Sequence, residues 1–240
     1  MSGHSKWSQI KHKKGISDVK KGKIFSKLAR IITIAAKAKG GDPQTNSSLR
    51  MAADKARSLN MPQDNIERAI KRGTGEIEGV KIEEFLMEAY GPGGTALIIE
   101  GATDNKNRTI SELKFLLSQR DGKLAQSGSV LWLFERRGTI IANAHGSGKD
   151  ETELAAIDAG AQDLKWLDEN TIEIAAKPED LEKVKKQLEL NNISIAEASL
   201  DWIPKNEISA PDKSSAAKLE KLLEELDEHD DVNEVYTNLK

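Results

Sequence analysis

Apolar positions between residues 18 and 39 recur at helical spacing. Projected at about 100° per residue, Ile24, Phe25, Leu28, Ile31, Ile32 and Ala35 share one arc, and Lys20, Lys23, Lys27, Arg30 and Lys37 share another. The spacing predicts a helix with separate apolar and basic faces. Lys21 and Lys39 fall off the basic arc near the ends, and Gly40-Gly41 stops the helix. Asp42-Pro43 opens a second helix to about Leu59, with Leu49, Ala52, Ala53 and Ala56 inward. The Asn60-Met61-Pro62 break precedes a third helix. Ile66, Ala69 and Ile70 face inward on it, Arg68, Lys71 and Arg72 face outward, and Gly73 and Gly75 end it. Short helices with small inner residues predict a compact three-helix bundle.

The texture then changes. Residues 82–90 and 95–101 alternate like strands and are joined through Tyr90-Gly91-Pro92-Gly93-Gly94, a turn signal. A helix is expected over 107–118, and the apolar run 129–134 is read as a buried strand. Beyond it come a strand at 138–144, a helix at 150–159, strands at 163–168 and 171–176, a helix from Pro178 to about Leu190 and a strand at 194–203. That order, βαββαβ, is the split-βαβ arrangement of a ferredoxin-like sandwich. A last helix at about 212–228 and a strand from Val232 to Leu239 have no local partners. The expected fold is therefore α+β and multidomain: a three-helix bundle followed by two α+β, ferredoxin-like sandwiches. The expected domains are 1–77, a discontinuous middle domain of 78–135 plus 205–240, and an inserted domain of 136–204.

Charge adds a polarity to this layout. The net charge of −3 conceals a first segment, residues 1–75, with 17 Lys and Arg against 5 Asp and Glu, a net of +12. The remainder carries 19 basic and 34 acidic residues, a net of −15. One end is built to meet a polyanion, and the other would repel it. The absence of cysteine rules out disulfides, thiolate metal sites and cysteine nucleophiles. With no signal-like or membrane-length apolar run, a cytoplasmic location is expected, without membrane attachment.

The candidate phosphate-binding residues follow from this asymmetry. Lys6, Lys11, His12, Lys13 and Lys14 lie on a polar arm, Lys20, Lys21, Lys23, Lys27, Arg30 and Lys37 on the first helix, and Arg68, Lys71 and Arg72 on the third. Such side chains neutralise phosphates and release condensed counterions, giving sequence-independent affinity. Tyr90, Lys106 and Arg108 are candidates for a secondary contact. Asp, Asn and Thr in Thr103-Asp104-Asn105-Lys106-Asn107-Arg108-Thr109 also suit a helix cap. Gly146-Ser147-Gly148-Lys149-Asp150 is not a phosphate loop: Asn143 stands where the first glycine is needed, and Asp150 where a Ser or Thr would hold magnesium. Asp227-Glu228-His229-Asp230-Asp231 could offer carboxylates to a cation but also suits a solvated helix end. The four histidines are scattered, and no catalytic set is evident. The expectation is binding rather than catalysis, with no cofactor and no metal.

Several segments in order resemble the YebC/PmpR family. They are Gly3-His4-Ser5-Lys6-Trp7, Ile10-Lys11-His12-Lys13-Lys14, Lys23-Ile24-Phe25-Ser26-Lys27-Leu28, Gly40-Gly41-Asp42-Pro43 and Asn60-Met61-Pro62 with Ile66-Glu67-Arg68-Ala69-Ile70. Tyr90-Gly91-Pro92-Gly93-Gly94, the segment 103–109, and Ser127-Gly128-Ser129-Val130 with Phe134-Glu135-Arg136 complete them. The resemblance implies a three-domain cytoplasmic protein without catalytic activity. Bacterial members are described as DNA-binding transcriptional regulators. The mitochondrial relative is a translational activator, and bacterial members have been tied to ribosomes and to difficult nascent sequences such as proline runs. The implied partner is thus DNA or ribosomal RNA, with the ribosome as the alternative setting.

Overall fold

The computed structural model describes residues 18–144, 148–209 and 212–240, with side chains from Lys21 onward. In chain order the elements are α1 (Asp18–Lys39), α2 (Ser47–Ser58), α3 (Gln63–Thr74), β1 (Glu83–Tyr90), β2 (Ala96–Thr103), α4 (Lys106–Gln119), β3 (Lys123–Leu124), β4 (Phe134–Asn143), α5 (Lys149–Ala159), β5 (Asp163–Trp166), β6 (Thr171–Ala176), α6 (Leu181–Leu190), β7 (Ser194–Pro204), α7 (Lys213–Glu228) and β8 (Val232–Thr237). Residues 134–203 form one compact unit, and the rest of the described chain forms the other. The architecture is the expected one, a helical bundle followed by two four-stranded α+β layers. Among the described residues no helix is long and apolar enough to cross a membrane.

In the bundle, alanines at 35, 36, 52, 53, 56 and 69 let the helices approach closely around Leu28, Ile32, Leu49 and Ile66. The approach of α3 to α1 needs Gly73, because a Cβ there would stand 2.4 Å from the Thr33 carbonyl oxygen. Asn46 is fully buried. Its Oδ1 accepts the Leu49 N–H and caps α2, while its Nδ2 donates to the carbonyls of Ala35 and Gly40 at the end of α1. One side chain therefore caps the start of α2 and ties it to the end of α1.

The first sheet has the order β3-β1-β2-β8 and takes its last strand from the C-terminal segment, which pairs antiparallel to β2. Phe85, Met87, Ala89, Leu97 and Ile99 alternate onto one face and pack against Leu113 and Leu117 of α4 and Leu219, Leu222, Leu223 and Leu226 of α7. The Tyr90–Gly94 turn sits under α7, with Gly91 against Leu219 and Leu222. The second sheet has the order β5-β6-β4-β7, with β6 antiparallel to both β4 and β5. This is the split-βαβ topology expected from the sequence. The β5–β6 hairpin is closed by Asp168, whose Oδ1 accepts the N–H groups of Asn170 and Thr171.

The structure corrects one element. Residues 129–134 are not a buried strand: Leu131–Leu133 form a 3-10 turn, Trp132 is 65% exposed, and the strand runs instead from Phe134 to Asn143. The second partner of β1, on the side away from β2, is the two-residue β3, which apolar patterning did not reveal. The cause is Glu88, buried on β1. Its carboxylate accepts the N–H groups of Gly128 at 2.6 Å, Val130 at 2.5 Å and Leu131 at 2.8 Å. Donors that would enter a sheet ladder are drawn to one distant carboxylate, so the segment turns. Burial works to raise the Glu88 carboxyl, but these three N–H groups outweigh it and hold it below the usual carboxylate range.

A second buried carboxylate joins the bundle to the first sheet. Asp231, 2% exposed, ends the acidic turn between α7 and β8. Its Oδ1 accepts Arg30 of α1 at 2.7 Å. Its Oδ2 accepts Thr109 at 2.7 Å, Arg108 at 2.9 Å and Thr103 at 3.1 Å. Its backbone carbonyl accepts the Ala102 N–H, an approach that leaves 2.0 Å for any Cβ at Gly101. Burial alone would push the Asp231 carboxyl up. The bonds from Thr109, Arg108 and Thr103, and the charge of Arg30, hold it down.

Two outcomes are expected. Asp231→Ala strands buried donors and should lower unfolding free energy at neutral pH by about 3 kcal/mol in denaturant titration. Asp230→Ala, whose exposed side chain meets a half-exposed Lys23, should cost less than about 1 kcal/mol. For Glu88, a folded value below the unfolded one means its contribution is complete above the ordinary carboxylate range and is lost as pH falls through the depressed value. The stability gap between wild type and Glu88→Gln should therefore be widest near neutrality and close progressively in acid; a gap that widens in acid would reverse this sign.

Candidate nucleic-acid interface

The predicted phosphate-binding residues separate into groups with different surroundings. Lys6, Lys11, His12, Lys13 and Lys14 lie outside the described residues, as does the Lys20 side chain. Lys21 is exposed on the first turns of α1. Lys23, Lys27 and Arg30 form the central part of the basic arc, and this part faces the protein's own acidic turn. Lys23 Nζ donates to the Glu228 carbonyl at 3.2 Å and lies 3.7 Å from the Asp230 carboxylate. Lys27 donates to the Asp227 carbonyl. Arg30 donates to the Asp230 carbonyl at 2.7 Å as well as to Asp231. The spacing i, i+4, i+7 thus lays three cations along the C-terminal end of α7, where exposed carbonyls carry the negative end of the helix dipole.

The acidic motif that could have offered carboxylates to a free cation therefore meets the cations of its own chain. Glu112, His229 and Asp231 hold donor atoms within 4.8 Å of one another. These atoms have internal partners. His229 Nδ1 accepts the Asp231 N–H, its Nε2 lies 3.1 Å from Glu112, and Asp231 Oδ2 is shared by Arg108 and two threonines.

A second group gathers at the other end of the bundle. A Cβ at Gly73 would lie 3.1 Å from the Lys37 backbone nitrogen, and one at Gly41 would meet Thr74 and Ile70. The C-terminal ends of α1 and α3 are therefore side by side. Lys37 and Lys39 on one, and Arg68, Lys71 and Arg72 on the other, are all exposed there. Lys39 lies off the basic arc of α1 taken alone, and only the packing of α3 beside α1 completes its surroundings. Lys106, also exposed, belongs to the same neighbourhood. The Glu83 carboxyl is held below its usual range first by its bond and charge pairing with Lys81, then by the charges of Lys37 and Lys106.

The remaining secondary candidates are engaged within the protein. Arg108 pairs with Asp104 at 2.8 Å and with Asp231 at 2.9 Å, and its guanidinium is held charged by the Asp231 bond above all. Tyr90 donates its hydroxyl to the Ser129 carbonyl at 3.2 Å. In the segment 103–109, Thr103, Arg108 and Thr109 grip Asp231, and Asn105 caps α4 by accepting the Arg108 N–H. Chemically, the helix-end group offers five separated point charges on a rigid support, which suits a phosphate backbone rather than a small anion.

Comparison with known proteins agrees with this architecture. A family model described as the TACO1/YebC protein N-terminal domain matches residues 5–76, and one described as the TACO1/YebC second and third domain matches residues 82–239. A protein of Halothermothrix orenii named "Probable transcriptional regulatory protein" is 52% identical over 240 residues, covering 99% of this chain and 94% of its own. A protein of the same name from Pelodictyon phaeoclathratiforme is 48% identical, covering 100% of this chain and 96% of its own. The crystal structure of a conserved hypothetical protein from Aquifex aeolicus matches with a TM-score of 0.89 at 42% identity, over 98% of this chain and 97% of that one. With the bundle and both sheet domains matched along nearly its whole length, the chain belongs to the TACO1/YebC family.

Proposed function

We propose that this protein is a nucleic-acid-binding regulator of gene expression that acts on DNA in transcription. The observation that carries the reading is the exposed group Lys37, Lys39, Arg68, Lys71 and Arg72 on the adjoining ends of α1 and α3, within a segment of net charge +12. The names of the relatives, probable transcriptional regulatory proteins, support the regulatory part. The basic arm before α1 would add further phosphate contacts. Lys23, Lys27 and Arg30 would act chiefly by setting the bundle against the first sheet. The acidic remainder, net −15, would turn away from the polyanion and orient the protein on it. Phosphate contacts of this kind position a protein and carry no sequence information, so sequence preference would come from elsewhere on the surface.

Binding to duplex DNA should weaken steeply with salt. Each phosphate contact contributes roughly 0.9 to the slope of log affinity against log salt. The triple variant Lys37→Gln, Lys71→Gln, Arg72→Gln should therefore flatten that slope by about 2 to 3, while Lys186→Gln on α6 leaves it unaltered. A flat salt dependence for the wild type would sink the reading. Competition with ribosomal RNA fragments tests its DNA part: duplex DNA should win, and a consistent preference for the RNA would place the protein in translation.

A further inference from the structure

Trp132 stands out among the exposed apolar side chains. A side chain of this size is usually well buried, and an exposed one on a rigid support is informative. Its ring is tethered. Nε1–H donates to the Ser129 carbonyl at 3.0 Å, the same oxygen that accepts the Tyr90 hydroxyl. The loop carrying both is fastened by the three N–H bonds to Glu88. The indole is thus held to the loop while 65% of its surface meets solvent. One exposed lysine, Lys205, is bonded to its backbone, and a second, Lys123, lies beside the Tyr90 ring. Lys205 Nζ donates to the Trp132 carbonyl at 2.9 Å, and its backbone N–H donates to the Leu133 carbonyl. Lys123 Nζ lies 6.0 Å from the centre of the Tyr90 ring.

We propose that Trp132 is a stacking platform for an unpaired base of a single-stranded nucleic-acid segment, with Lys205 taking a neighbouring phosphate. The proposal rests on the reading that this protein binds nucleic acid, and extends it to a second contact of different chemistry. Base faces are hidden in a duplex and available in a single strand, where stacking on an aromatic ring tolerates any base. A ring already tethered loses little freedom on binding. An apolar or proline-rich peptide could also lie on an indole, but it would gain nothing from the adjoining lysine. Both DNA and RNA offer the required base and phosphate, so the two sources are separated by experiment.

The test uses the full chain and two variants, Trp132→Leu and Trp132→Phe, first matched to wild type in melting temperature. Labelled oligo-dT and oligo-U of about ten nucleotides are titrated by anisotropy, and intrinsic fluorescence is followed in parallel. Stacking predicts quenching in the wild type that is clearly reduced in Trp132→Leu, the other three tryptophans being common to both. It also predicts single-strand affinity at least about five-fold weaker in Trp132→Leu and partly restored in Trp132→Phe, with duplex affinity unchanged. The oligomer with the larger loss identifies the sugar. Equal single-strand affinity in wild type and Trp132→Leu overturns the proposal while salt-dependent duplex binding leaves the function standing. Absence of all nucleic-acid binding overturns both. Quenching by an oligoproline peptide but by neither oligonucleotide also overturns it, in favour of a peptide site.

Discussion

Asp231 carries its charge in the interior, where an unpaired carboxylate would be strongly destabilising. Four donors from two distant segments offset that cost: Arg30 from the bundle, and Thr103, Arg108 and Thr109 from the junction of β2 and α4. The acidic turn that holds Asp231 arrives from the far end of the chain. The carboxylate can be accommodated only when the bundle, the β2–α4 turn and the C-terminal strand are all in place. This makes it a point of cooperativity rather than one ion pair among many. It also explains the close passage at Gly101, where a side chain would push the Asp231 backbone off the sheet.

That constraint decides what the basic helix does. Lys23, Lys27 and Arg30 follow the seam set by Asp231 and face carbonyls and carboxylates of residues 227–231. Their positive charge serves the internal fit of the larger unit. The exposed cations at the adjoining ends of α1 and α3 remain turned outward, and the proposed interface is built on them.

The elements with local determinants were legible in the sequence. The apolar arc of α1, the alanine faces of α2 and α3 and the βαββαβ order each follow from periodicity and turn chemistry, and each is present. What could not be read depends on partners far away in sequence. The basic arc announced a helix face but not that its counterpart lies about two hundred residues later. Glu88 sits in a strand-like alternation where a polar residue suggests solvent, yet it is buried and gathers the N–H groups of 128, 130 and 131. For the same reason the apolar run 129–134 looked like a core strand. Hydrophobicity cannot report that its backbone donors go to a carboxylate, nor that Trp132 is left facing solvent.

The proposed interface divides the lysines of α1 and α3 into those that hold the bundle on the sheet and those that would meet nucleic acid. Lysine acetylation footprinting by mass spectrometry, with and without saturating duplex DNA, tests that division directly. DNA should protect Lys37, Lys39 and Lys71 while Lys23 and Lys27 react alike in both states. Protection of Lys23 and Lys27 with Lys37, Lys39 and Lys71 unchanged would contradict it.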